Sequence, residues 1–238
     1  MLEHIRASHE LDYIMITGDY PAHDVWLQSR DHNLATAAAV LQPLAEIFPD
    51  VQVVPSLGNH EPFPCNMLEI CYYLIILGHI LFRFPGSTAG VDDSYAPDWL
   101  LTQLSQYFSS WLPQPQLDSF TQSAAYTYSW IPGFRVISFP SPLCLTYNFW
   151  LWMDWSDPGN MLAWLVEQLT LAEQEGDKVH ILSHVPPGNA ECLGAWGREY
   201  SRYNLLVLNS YYICYLNGEF KLTFYYLLVI SPYQGQML

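Results

Sequence analysis

The sequence predicts an α/β fold built around one core. Three short apolar runs, at 11–17, 51–57 and 178–183, each stop at a polar loop punctuated by Gly or Pro, the habit of buried strands. Segments with apolar residues at helical spacing separate them, so strand and helix alternate along the chain. In a fold of this kind the loops at the carboxyl ends of the strands collect the chemistry.

The first run, LDYIMIT, ends at Gly18-Asp19. Residues 31–47 then place Leu34, Ala38, Leu41, Leu44 and Ile47 at helical spacing and read as a crossover helix. The second run, VQVVPSL, leads into Gly58-Asn59-His60-Glu61. A further strand over 134–139 (FRVISF) follows the turn at Pro132-Gly133. Asp157 reads as an N-cap, Pro158 as the first helical residue and Gly176 as the stop of a helix carrying Met161, Leu162, Leu165, Leu169 and Ala172. The third run, KVHILS, ends at His184-Val185-Pro186-Pro187-Gly188.

Two tracts fit this scheme less well. Residues 68–82 are too few for a membrane span and contain Glu69, Gly78 and His79. Residues 204–230 are apolar but interrupted by Asn209, Asn217, Glu219 and Lys221. Neither reads as transmembrane, and both are rich in β-formers with almost no charge, a combination that aggregates if left uncovered.

With 238 residues, 51% of them hydrophobic and 16% aromatic, the chain can bury a sizeable core, and one domain is the natural reading. Eight Lys and Arg stand against 23 Asp and Glu, a formal net charge of −15. Such a surface repels nucleic-acid backbones and anionic membranes, which excludes nucleic-acid binding as the function class. The cysteines, Cys65, Cys71, Cys144, Cys192 and Cys214, include no CxxC pair, so neither a zinc ribbon nor a thioredoxin-like motif is present, and their odd number leaves at least one unpaired. The opening MLEHIRASHELDY carries charges and lacks the apolar stretch of a secretory signal.

Activating water at phosphorus with hard divalent metals takes carboxylate, amide and imidazole ligands on rigid strand ends. Asp19, Asn59 and His184 each follow such an end. Gly-Asp alone is usually a turn. Gly-Asn-His-Glu after a strand says more, because Asn offers a neutral carbonyl oxygen and the adjacent His can hydrogen-bond a phosphate oxygen or the leaving group.

The runs GDYPAHDVW (18–26), GNHE (58–61) and HVPPG (184–188) resemble, in order and spacing, the successive motifs of the acid sphingomyelinases within the calcineurin-like metallophosphoesterase superfamily. The similarity extends through Asn148-Phe149-Trp150, Asp157-Pro158, the Trp164-Leu165 helix and Gly176-Asp177-Lys178-Val179-His180, about two thirds of the chain. The resemblance implies a sandwich of mixed sheets flanked by helices. It implies two zinc ions, with Asp19 bridging them, Asn59 and His184 binding one, and His60 and His23 lining the phosphate site as catalytic groups. The implied reaction is phosphodiester hydrolysis, which on sphingomyelin releases ceramide and phosphocholine, His23 or His60 protonating the departing alkoxide. Trp26 reads first as a core side chain and alternatively as an aromatic face for the quaternary ammonium. Cys144 and Cys192 fall where the family has a disulfide bracing the His184 loop, with two buried free thiols as the alternative. The resemblance also implies an extracellular or lysosomal protein. Oligomeric state is not legible.

The sequence departs from the family in ways that shape these expectations. No Asp-x-His precedes Asp19, no Gly-His-Thr-His follows Tyr203, and Glu61 stands where the family usually has Asp. The expectation is a domain incomplete at both ends: a partial metallophosphoesterase domain over 1–203 with a divergent insert at 65–90, followed by a divergent apolar tail at 204–238. At most one weakly held zinc site is then expected, with activity impaired relative to a complete parent enzyme. Competing readings are a metallophosphoesterase acting on nucleotides, and a non-catalytic fragment that binds lipid or a partner.

Overall fold

The computed structural model describes residues 1–68, 72–76, 79–84, 98–152, 155–186, 188–207, 214–216 and 229–230. After a short helix α1 (Leu2–Ser8), the first apolar run forms β1 (Tyr13–Ile16), buried along its whole length. Helix α2 (Arg30–Ile47) starts where the Ser29 side chain accepts from the His32 amide, and returns the chain to β2 (Gln52–Pro55). β2 lies parallel to β1, Tyr13 opposite Gln52 and Ile16 opposite Pro55, so Gly18 and Gly58 emerge side by side at one edge.

Helix α2 meets the core with Asn33, Ala37, Leu41 and Leu44: Leu41 and Leu44 are buried as predicted, while the first two positions of the face are turned by one residue; Leu34, Ala38 and Ile47 are half-buried. The turn is explained by Asn33, whose amide is drawn inward by backbone carbonyls of the loop after β2.

The backbone of β3 (Tyr72–Ile76) and β4 (His79–Phe84) pairs as an antiparallel hairpin. The rest of the 68–82 tract, apart from Leu68, lies outside the described residues. Helices α3 (Asp98–Phe108) and α4 (Gln114–Ser123) and strand β5 (Tyr126–Ile131) lie outside the predicted set. Their logic is nonetheless simple: Leu100, Leu101, Leu104 and Phe108 make one buried face of α3, and Leu117 and Phe120 one of α4. β5 pairs antiparallel with β6 (Phe134–Phe139).

Helix α5 (Met161–Glu175) begins later than predicted. Residues Pro158–Asn160 form a 3-10 turn in which Gly159 and Asn160 have φ of 63° and 54°, so the helix cannot propagate from Pro158. Asp157 still caps it from below, accepting from the amides of Leu162 at 2.7 Å and Ala163 at 3.1 Å. Gly176, at φ 75°, ends the helix as predicted. Strand β7 (Lys178–Ser183) then lies parallel to β6. Helix α6 (Gly194–Val207) follows, stacking Trp196 and Tyr200 on Phe139. Within 204–238 the described backbone includes β8 (Cys214–Leu216), parallel to β7, and β9 (Val229–Ile230), antiparallel to β1.

Among the described residues the two larger sheets, besides the β3-β4 hairpin, are thus β2-β1-β9 and β5-β6-β7-β8. They are tied face to face by hydrogen bonds: Tyr126 donates its hydroxyl to the Pro55 carbonyl at 2.5 Å, and the Tyr13 hydroxyl meets His180 Nδ1 at 3.0 Å. This is the expected layered arrangement of mixed sheets with helices against them. Among the described residues no helix is long and apolar enough to cross a membrane.

His180 packs edge-on to Phe134 and against Tyr13, and burial holds its pKa below the usual histidine value. A hydroxyl donating to Nδ1 suits the neutral ring. Because the folded pKa lies below 6.5, the unfolded chain takes up the proton first, so this group's share of stability is intact above about pH 6.5 and is lost as the pH falls below it. Melting temperatures at pH 7.5 and 5.5 should therefore drop more for the wild type than for His180→Phe. Equal drops would show that His180 is not the group responsible.

Candidate metal centre

Two glycines let the loops after β1 and β2 cross in contact. Gly18 has φ +90°, and a Cβ there would stand 2.1 Å from the Gly58 amide nitrogen. A Cβ on Gly58 would stand 2.2 Å from Asp19 Oδ1. No side chain fits between the strand ends, which is why both motifs begin with glycine. Asp19 itself is left-handed at φ 63°, a conformation that turns its carboxylate back across the β2 loop. Its Oδ1 accepts from the His60 amide at 2.9 Å.

Glu61 clamps the crossing from beneath. Its fully buried carboxylate accepts from the Tyr20 amide at 2.5 Å and the Gly58 amide at 2.6 Å, one from each loop. Burial, reinforced by the nearby Asp19 charge, pushes its pKa up to about 7. Asn33 of α2 locks the same loop from the side, donating Nδ2 to the His60 and Glu61 carbonyls at 3.2 and 3.1 Å.

His184 reaches this crossing from the other sheet. Its Nδ1 lies 3.0 Å from the Thr17 carbonyl, which only accepts, so Nδ1 carries a hydrogen. Nε2 then faces Asn59 Oδ1 at 2.8 Å and Asp19 Oδ2 at 3.3 Å. Burial works against charging the ring, but Asp19, with help from Glu61 and the Thr17 carbonyl, more than offsets this and holds the pKa at about 9. Burial likewise opposes the Asp19 charge, yet His184, and to a smaller degree His23 and His60, keep its carboxyl well below the usual range. Asp19 is thus the ionised carboxylate of the cluster.

The five residues predicted for the site are brought together. Asn59 Oδ1, Asp19 Oδ2 and His184 Nε2 converge, electron-rich atoms that a cation must reconcile, either a proton on Nε2 or a divalent metal ion. The oxygen and imidazole donor set fits zinc or a similar ion. Asp19, His23 and His60 also offer ligand atoms within 4.8 Å of one another, so the same carboxylate serves a second group of donors. His23 is largely exposed and stacks flat on His60, centroids 4.1 Å apart, with Nε2 3.9 Å from Asp19 Oδ2. The neighbouring Asp19 carboxylate raises its pKa, whereas burial lowers that of His60.

Cys144 and Cys192 are joined as a disulfide, Cα atoms 4.8 Å apart, rather than left as thiols. The bond fastens the loop after β6 to the loop carrying His184. Beside it Leu193 donates to the Cys144 carbonyl at 2.9 Å and Val185 to Ser141 Oγ at 2.7 Å. Trp26 corrects its first reading: it stands 79% exposed in the 3-10 turn Val25–Leu27, because no core surface reaches that far past the strand end. Sequence reasoning missed Asn33, Asn66 and Cys65. The Asn66 side chain accepts from Asn59 Nδ2 at 2.8 Å, and the half-buried Cys65 thiol lies 3.5 Å from His60 Nδ1. A signal existed for the first alone, as a polar residue one turn before Ala37 on the buried helix face.

Residues 1–214 match the calcineurin-like phosphoesterase family. Sphingomyelin phosphodiesterase 2 of Caenorhabditis elegans is 33% identical over 216 residues, 89% of this chain and 32% of that protein. Human sphingomyelin phosphodiesterase is 34% identical over 191 residues, 80% of this chain and 27% of that protein. The chain spans about a third of the length of these curated relatives. A dimetal phosphatase structure from Danio rerio aligns over 85% of this chain and 79% of that one at TM-score 0.35 and 15% identity, too remote a likeness to bear on the chemistry. The extent of the family match, with the crossed Gly18 and Gly58 loops and the donors they carry, means that the chain belongs to the calcineurin-like phosphoesterase family.

Proposed function

We propose that this chain is a zinc-dependent phosphodiester hydrolase that cleaves sphingomyelin to ceramide and phosphocholine. The observation that carries the reading is the convergence of Asp19, Asn59 and His184, from two sheets, beside the stacked imidazoles of His23 and His60. Asp19, Asn59 and His184 would hold zinc, with His23 and His60 beside them lining the phosphate site. Bound metal supplies positive charge that activates water and neutralises the phosphoryl oxygens. The residues themselves do the rest: Asp19 anchors the His60 backbone, and His60 or His23 delivers a proton to the departing alkoxide.

Sphingomyelin as substrate is supported by the names of the relatives and by exposed Trp26, an aromatic face suited to a quaternary ammonium. The disulfide suits an oxidising compartment, extracellular or lysosomal. Incubating the chain with zinc and sphingomyelin in detergent micelles should release phosphocholine, with chelator abolishing the release and added zinc restoring it. Turnover of a nucleotide diester but not of sphingomyelin would move the substrate class. Zinc binding with turnover of neither would mark a non-catalytic binding fragment.

A further inference from the structure

We infer that Asn66 is a positioning residue that decides which end of the Asn59 amide faces the metal. The inference rests on the metal reading of the site. A primary amide has two ends of nearly equal shape, and only the carbonyl oxygen can ligate a cation; the NH2 end repels one. Swapping them would turn a ligand into an obstacle without altering the packing. Something must therefore choose, and Asn66 is placed to do so. Asn59 Nδ2 donates to Asn66 Oδ1 at 2.8 Å, leaving Asn59 Oδ1 directed at His184 Nε2, also at 2.8 Å.

The backbone prepares this contact. The Asn66 amide donates to the Asn59 carbonyl at 2.8 Å, closing the loop on itself, and Asn66 sits at φ 67°, in the left-handed region that Asn and Gly tolerate. The two side chains are brought alongside each other by that closure. Asn66 has two separable functions, a left-handed backbone and an acceptor oxygen, and they respond differently to substitution.

Zinc affinity, measured by competition with a chromogenic chelator, separates them. Asn66→Gly keeps the left-handed backbone and removes the acceptor, so zinc affinity should fall by about 10-fold to 100-fold, the range seen when an outer partner of a metal ligand is lost. The melting temperature of the chelator-treated protein should change little. Asn66→Asp, whose carboxylate accepts only, should stay within about threefold of wild type. In an Asn59→Ala background there is no amide left to orient, so Asn66→Gly should there have no further effect. A folding deficit would carry into both backgrounds, whereas an orientation effect would not. The inference is overturned if Asn66→Gly binds zinc as wild type does, if Asn66→Asp loses as much as Asn66→Gly, or if the loss persists beside Asn59→Ala. If Asp19→Ala also binds zinc like the wild type, it is the metal reading itself that fails.

Discussion

Replacing Asp19 by asparagine is expected to lower zinc affinity by more than the ~100-fold upper range for outer partners of a ligand, and to take hydrolysis down with it. Asp19 is the ionised carboxylate of the cluster, and both of its oxygens are engaged: Oδ1 by the His60 amide, Oδ2 toward His184 Nε2. Asparagine retains one oxygen. If that oxygen keeps the His60 amide, an NH2 group points into the donor cluster; if it turns toward His184, the NH2 meets the His60 N–H. Either way one attraction becomes a repulsion in a buried setting where charge is poorly screened. Zinc titration and phosphocholine release should fall together in Asp19→Asn. Undiminished zinc affinity in this variant would remove Asp19 from the centre.

Gly58→Ala and Gly18→Ala are expected to destabilise the fold by about 3 kcal/mol or more each, at the upper end of overpacking penalties. The colliding atoms are mostly backbone. A Cβ on Gly58 would meet the Asp19 amide nitrogen at 2.5 Å as well as its carboxylate, and one on Gly18 would meet the Leu57 carbonyl carbon at 2.6 Å. Neither can move aside without opening the Glu61 clamp on Tyr20 and Gly58. Gly133 gives the control: it too has positive φ, at +77°, but a Cβ there meets nothing within 4 Å. Gly133→Ala should therefore show only the conformational cost of about 1–2 kcal/mol. Urea denaturation of the three variants checks the contrast, and a Gly58→Ala chain as stable as Gly133→Ala would mean the loops do not cross as described.

What the sequence made legible was whatever is written in contiguous residues. Strands 134–139 and 178–183 match β6 and β7 residue for residue, because an unbroken apolar run bounded by Gly or a polar loop has few other ways to be buried. The Asp19, Asn59 and His184 convergence was readable for the same reason, each residue standing just past such a run. The start of α5 was misread because Asp157-Pro158 carries the local cues of a helix start, while the left-handed pair Gly159 and Asn160 delays it to Met161. Asn33 and Asn66 escaped because their roles consist of hydrogen bonds to residues brought near only by folding or by loop closure. Nothing in the composition of a helix or a loop marks an amide whose partner lies elsewhere in the chain. Trp26 was placed in the core on hydrophobicity alone, which does not distinguish an aromatic that packs from one carried beyond the end of a strand.

The centre takes Asp19 and Asn59 from one layer and His184 from the other, so the gap between the layers governs the distance between its ligands. Tyr126 spans that gap close to the centre, its hydroxyl kept protonated by burial and seated on Pro55 at the end of β2. It acts as a spacer gauge: a small slip of the sandwich would pull the imidazole away from both oxygens at once, while leaving every strand intact.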